Sequence, residues 1–230
     1  MDVADLEVTP VKETTYRLIP SRFPPIDLYE RVANAEEFEI LHEIESLTND
    51  RLRDEVGDIS LVAKEDRIAG PGTSYIMAAF THARVNEDGG RFDRGYGVFY
   101  CAKELETAIE ETKYHRAKFF CDFNSSPTTV DMRSLLTDLD QNLHTVLGRQ
   151  EELSDIYHLD DYSAGQALGQ KLKDAKSWGI AFSSVRRDGG HCYGVFRPPA
   201  LSNCRQAKHY QYHFDGKTIS HVIEKTLISL

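Results

Sequence analysis

The stretch GGRFDRGYGVFYCAKELETAIEE, residues 89–111, sets a glycine turn, a short aromatic run and a carboxylate-rich segment in direct succession. Residues 96–102 are rich in aromatic and β-branched side chains and read as a strand. From about residue 104 to 119 the apolar positions take the helical period: Leu105, Ala108, Ile109 and Thr112 fall on one face at about 100° per residue. A strand that feeds a helix, with no regular βαβ alternation around it, favours an α+β fold over a doubly wound sheet. The same stretch poses the functional question. A strongly acidic chain sets Arg91 just ahead of an aromatic strand and follows it with four glutamates.

Upstream, residues 1–15 are expected to be a loose polar lead-in. In TYRLIPSRFPPIDLYERVA, Pro20, Pro24 and Pro25 forbid a helix and favour an extended path. Residues 35–55 read as a helical insertion, with Phe38, Leu41, Ile44, Glu45 and Leu47 at spacings of three and four and Leu52 extending the series. GDISLVAKEDRIAGPGTS is a short strand or loop ending in a tight turn, and SYIMAAFTHA a buried helix capped by Thr73 or Ser74. Downstream, PTTVDMRSLLTDL suggests a strand running into a short helix. DDYSAGQALGQKLKDA is a helix with Asp160, Asp161 or Ser163 near its start. WGIAFSSVRRDGGHCYGVFRPP is the clearest hairpin, and KHYQYHFDGKTISHVI a last strand pair. No repeat, low-complexity run or linker marks a boundary, so residues 1–230 read as one domain.

Lys and Arg number 27 against 37 Asp and Glu, a formal net charge of −10. That sign repels phosphate backbones and argues against direct nucleic-acid binding. An anionic small molecule can bind only where arginines are concentrated. The four cysteines lie far apart with no CxxC pair, as expected of reduced thiols in a cytosolic protein. The acidic first residues lack an apolar core for a secretory signal, and no run approaches the ~18 apolar residues of a membrane span. The expectation is a soluble cytoplasmic protein.

Metal and nucleotide motifs are absent: no HExxH, no paired metal spacing, no GxSxG, no Walker loop and no GxGxxG after a strand. GPGTS is a turn that caps a helix. Among the glutamates, Glu110 falls nearly opposite the apolar face and reads as a solvated charge. Glu104 and Glu106 have a plain role in complementing the positive end of the helix dipole. Glu106 and Glu111 both flank the buried face, and periodicity does not choose between them. Arg91 is either a surface turn residue or, beside two glycines, a guanidinium that grips a phosphate or carboxylate. Tyr100 is either half-buried core or a stacking surface for a planar ring.

GGRF at residues 89–92, then FYCAKELETAIEE with Tyr100 eleven residues before Glu111, then DDYSAGQALG followed by WGIAFSSVRRDGGHCYGVF, resemble the RES domain family. The resemblance runs from about Arg17 to the end, and the long opening looks like the branch that carries a helical insertion. It implies an ADP-ribosyltransferase-like fold and the toxin of a bacterial RES–Xre toxin–antitoxin module. It further implies cleavage of the nicotinamide–ribose bond of NAD+. ADP-ribose would pass to a protein acceptor such as a nucleotide-biosynthesis enzyme, or NAD+ would simply be hydrolysed or phosphorolysed. An Xre-type antitoxin is the implied partner.

Carried over residue by residue, the family's first arginine falls on Arg31 in LYERV or, as second choice, on Arg17 in TYR. Its second falls on Arg91, its tyrosine on Tyr100, its glutamate on Glu111, and a serine at the start of the later helix on Ser163, with Gln166 beside it. Where many members continue GGR with Trp-Asn-Pro, this chain has Phe92, Asp93 and Arg94, so the loop over the substrate is expected to be shaped differently. The chemistry fits these residue types: a carboxylate stabilises an oxocarbenium-like ribose, and arginines neutralise a pyrophosphate. A non-catalytic module that sequesters a partner is the rival reading; the joint presence of Arg91, Tyr100, Glu111 and Ser163 speaks against it.

Overall fold

The computed structural model describes residues 2–21, 57–83, 89–226 and 228. The expected helical insertion at 35–55 and Arg31 lie outside the described residues. Seven strands form one mixed sheet: β1 (Glu7–Pro20), β2 (Phe99–Ala102), β3 (Thr128–Thr145), β4 (Gly179–Ser183), β5 (His191–Val195), β6 (Leu201–Phe214) and β7 (Ile219–Lys225). Three helices are described, α1 (Thr73–Thr81), α2 (Leu105–Asp122) and α3 (Ser163–Asp174). The class is α+β, as the sequence pattern implied.

The sheet order is β1-β2-β5-β4-β3-β6-β7, with β1 also paired to β3. The pairings β1–β2, β2–β5, β5–β4, β4–β3 and β3–β1 therefore close five strands into a ring, from which β6 and β7 extend. Only β3–β4 is parallel. Side chains alternate across the strands, as a period of two requires. Phe99, Cys101, Ala181 and Tyr193 face one core with Ile76, Met77 and Phe80 of α1. Val98, Ile180, Phe182 and Cys192 face a second core with Ala108 of α2 and Leu168 and Leu172 of α3. The strand of residues 96–102 is shorter than expected, starting at Phe99, and the helix after it runs three residues longer, to Asp122.

Three local expectations are corrected. Residues 7–15 are not a loose lead-in but most of β1, in register with β3 from Glu7↔Thr145 to Pro20↔Met132. The stretch looks polar because Lys12 and Thr14 face outward to Asp140 and Asp138, while Val11 and Thr15 point inward. Nor does the strand from residue 128 turn into a helix. Met132, Leu135, Leu136 and Leu139 mimic a helical period because β3 is covered on both faces, burying Arg133, Ser134 and Thr137 as well. Finally, α1 has Gly72 at its N-cap with φ 78° and no side-chain cap; the Thr73 hydroxyl donates to the Gly70 carbonyl instead.

The two blocks around residues 89–92 and 163–170 meet directly. A Cβ on Gly165 would lie 2.4 Å from the Arg91 carbonyl oxygen, and one on Gly169 only 1.9 Å from that of Phe92. One turn apart on α3, these two glycines let the backbone of the Arg91 loop lie on the helix.

Candidate active site

Arg91 is buried, at 7% exposure. Its Nη1 donates to two carbonyls of the segment that leads to α3, Ile156 at 2.6 Å and His158 at 2.9 Å. Its guanidinium carbon lies 4.7 Å from the centre of the Tyr162 ring. Nε and Nη2 make no hydrogen bond among the described residues. Desolvation lowers the pKa of this arginine, and the charges of Tyr162 and Glu111 oppose the shift.

Tyr100 organises the loop that carries Arg91. Its hydroxyl donates to Asp93 Oδ1 at 2.6 Å and accepts the Phe92 N–H at 2.8 Å. The same Asp93 oxygen accepts the Gly90 N–H at 2.9 Å. Burial pushes the Asp93 carboxyl above its ordinary value, while the bond from Tyr100 opposes that shift. Burial, followed by the neighbouring Asp93 charge, raises the Tyr100 phenol. An asparagine oxygen could accept the same two bonds, so what Asp93 adds is a titratable group. Gln166 Nε2 ties α3 to the loop by donating to the Gly90 carbonyl at 3.1 Å. Arg94 is exposed and makes no bond among the described residues; nothing in the structure explains its replacing proline.

Glu111 lies on α2 with its carboxylate turned to the β4–β5 turn, where Oε1 accepts the Ser184 hydroxyl at 2.6 Å. Ser184 is itself locked: its oxygen accepts the N–H groups of Arg186 at 3.1 Å and Arg187 at 3.0 Å. Cys192 Sγ stands 4.0 Å from the same carboxylate oxygen. Burial and the charge of Glu111 push its thiol pKa well up, which keeps it protonated. The other glutamates go elsewhere. Glu110 pairs with Lys113 at 2.9 Å, Glu104 accepts Thr107 Oγ1 at 2.8 Å, and Glu106 is exposed.

The loop at 89–93 brings Arg91, Tyr100 and Gln166 together, and Glu111 lies near enough for its charge to raise the pKa of Arg91 against desolvation. Ser163 is not part of this group. That residue is exposed at the first turn of α3, its N–H bonded to Asp161 Oδ1 at 2.9 Å. Arg17 is partly buried on β1, donating to the Tyr100 carbonyl at 2.8 Å and stacking 4.6 Å over Phe99. It braces the strand rather than touching Arg91 or Glu111. Ser184 escaped the sequence reading. Its one local signal is a serine opening a turn of the form Ser-x-Arg-Arg-Asp-Gly-Gly, where a hydroxyl can accept the N–H groups two and three residues on. Among the described residues, no three metal-ligating side chains cluster.

A model of the RES domain matches residues 64–215. The uncharacterized protein y4oC of Sinorhizobium fredii (strain NBRC 101917 / NGR234) is 31% identical over 212 residues, covering 91% of this chain and 86% of that protein. The crystal structure of the M. tuberculosis MbcT–MbcA toxin–antitoxin complex contains a similar chain, with a TM-score of 0.48 and 12% identity over 93% of this chain and 90% of that one. The family match covers most of the chain, including the loop at 89–93, α2, α3 and the β4–β5 turn. This chain belongs to the RES domain family.

Proposed function

We propose that this protein consumes NAD+, breaking the bond between nicotinamide and ribose at Glu111 and transferring ADP-ribose to a protein acceptor. The observation that carries the reading is the Glu111 carboxylate, held at 2.6 Å by a serine hydroxyl that two backbone N–H groups fix in turn, and electrostatically coupled to a buried arginine whose Nε and Nη2 make no hydrogen bond among the described residues.

Each group has work in that reaction. As the N-glycosidic bond breaks, its electron pair leaves with nicotinamide, which departs neutral, and positive charge develops on the ribose. A fixed carboxylate stabilises that charge without reorganising. The acceptor oxygen then bonds to the anomeric carbon, and its proton passes to Glu111 and on to solvent. Arg91 holds a phosphate through Nε and Nη2, while Tyr100 and Asp93 keep its loop in place. Ser184 holds the Glu111 carboxylate in position.

RES membership supports the wider reading of a toxin restrained by an Xre-type antitoxin. Incubating the protein with NAD+ labelled in its adenylate half, with and without cell extract, tests the proposal. Free nicotinamide with label on a protein band is the expected result. Free nicotinamide with soluble ADP-ribose or its phosphate points to hydrolysis or phosphorolysis instead, and intact NAD+ in every condition overturns the enzymatic reading.

A further inference from the structure

Arg186 lies in the β4–β5 turn, two residues after the serine that holds Glu111. Its side chain is 13% exposed, yet the nearest carboxylate, Asp160, is 3.9 Å away and accepts the Tyr114 hydroxyl instead. The guanidinium carbon stacks 3.3 Å over the Tyr114 ring, and Nη2 donates to the Leu159 carbonyl at 2.5 Å. Nε is buried, and neither it nor Nη1 has a hydrogen-bond partner among the described residues.

The geometry matches that of Arg91. Both arginines stack on a tyrosine, Tyr162 for one and Tyr114 for the other, and both donate to carbonyls of one short segment: Ile156 and His158 from Arg91, Leu159 from Arg186. They are close enough that the charge of Arg186 depresses the pKa of Arg91. Two partly buried guanidiniums anchored on one segment, residues 156–159, neither with a close carboxylate bond, leave a local positive field in a chain of net charge −10. Stacking fixes their planes, and Nη1 of Arg186 with Nε and Nη2 of Arg91 offer donors for the oxygens of a diphosphate.

We propose that Arg186 is a second phosphate-binding residue of the site, so that Arg91 and Arg186 each hold one phosphate of a nucleoside diphosphate group. The inference rests on the NAD+ reading and specifies how the dinucleotide is gripped. Arg186→Gln removes the charge while leaving a shorter side chain with an amide donor; Arg186→Ala removes the charge and the donor.

The test measures equilibrium binding of ADP, of inorganic pyrophosphate and of adenosine to the full chain, with Arg94→Ala as control. Wild type and Arg94→Ala should bind ADP and pyrophosphate alike. Arg186→Gln should weaken both by roughly 10- to 150-fold, leave adenosine unchanged and raise KM for NAD+ more than it lowers kcat. Melting temperatures within about 2 °C of wild type would separate lost binding from lost folding. ADP binding by Arg186→Gln equal to wild type, equal losses for adenosine and ADP, or no binding of ADP by wild type would each overturn the proposal. Arg186-dependent ADP binding in a protein that leaves NAD+ intact would sink the enzymatic reading and keep this one.

Discussion

Glu111 is the residue on which the proposed chemistry depends, and its position was readable only in part. Helical geometry set aside Glu110, the dipole accounted for Glu104 and Glu106, and the spacing from Tyr100 in the RES resemblance selected Glu111. Its partner was not readable, because Ser184 comes from a turn 73 residues away that the sheet folds onto α2. Ser184→Ala should reduce nicotinamide release roughly 10- to 150-fold, the loss of one hydrogen bond to a charged group, whereas Ser163→Ala should change it less than about twofold. Comparing initial rates of the two variants checks this ordering.

Asp93 gives a pH prediction. Burial holds its carboxyl above the ordinary value of 3.8, so the fold favours the protonated form. That contribution is full below pH 3.8 and is lost as pH rises through the higher folded value. Asp93→Asn keeps the acceptor for Tyr100 and Gly90 but cannot ionise. Its melting temperature relative to wild type should therefore rise as pH increases above 3.8 and level off once pH passes the higher folded value. A difference that stays flat across that range would contradict the assignment.

Among the elements, α3 is the clearest case of local sequence serving a distant loop. Alanine at a helical glycine ordinarily gains up to about 1 kcal/mol. At position 169, however, a Cβ would meet the Phe92 carbonyl oxygen at 1.9 Å, so either the helix or the loop must move. Gly169→Ala should destabilise the protein by about 1–3 kcal/mol and lower activity by displacing Arg91, as denaturant melts and rate measurements would reveal. The helices α2 and α3 and the hairpin β4–β5 were legible because each combines a local period with a local stop signal. The strands β1 and β3 were not. Their 14 matched pairs run from Glu7↔Thr145 to Pro20↔Met132, and no local window records a partner more than 100 residues away. With both faces covered, β3 also lost the alternation that would have identified it.

For the whole molecule, composition gave the class but not the closure. The α+β pattern was visible, while the ring made by β1, β2, β5, β4 and β3 depends on long-range pairings alone. The net charge of −10 carries its own expectation. The isolated chain should leave duplex DNA unshifted in a gel at physiological salt, since most of its surface repels phosphates, and a shift by the chain alone would contradict this. Small anions are a different matter, because the guanidiniums of Arg91 and Arg186 act at short range. The central claim is that this arrangement cleaves NAD+ at Glu111. Its most direct test is nicotinamide release followed by proton NMR for wild type and Glu111→Gln, matched by melting temperature and concentration. The account predicts steady release by wild type and a loss of roughly 100- to 10,000-fold in the variant; equal rates from the two proteins, or no release from either, would contradict it.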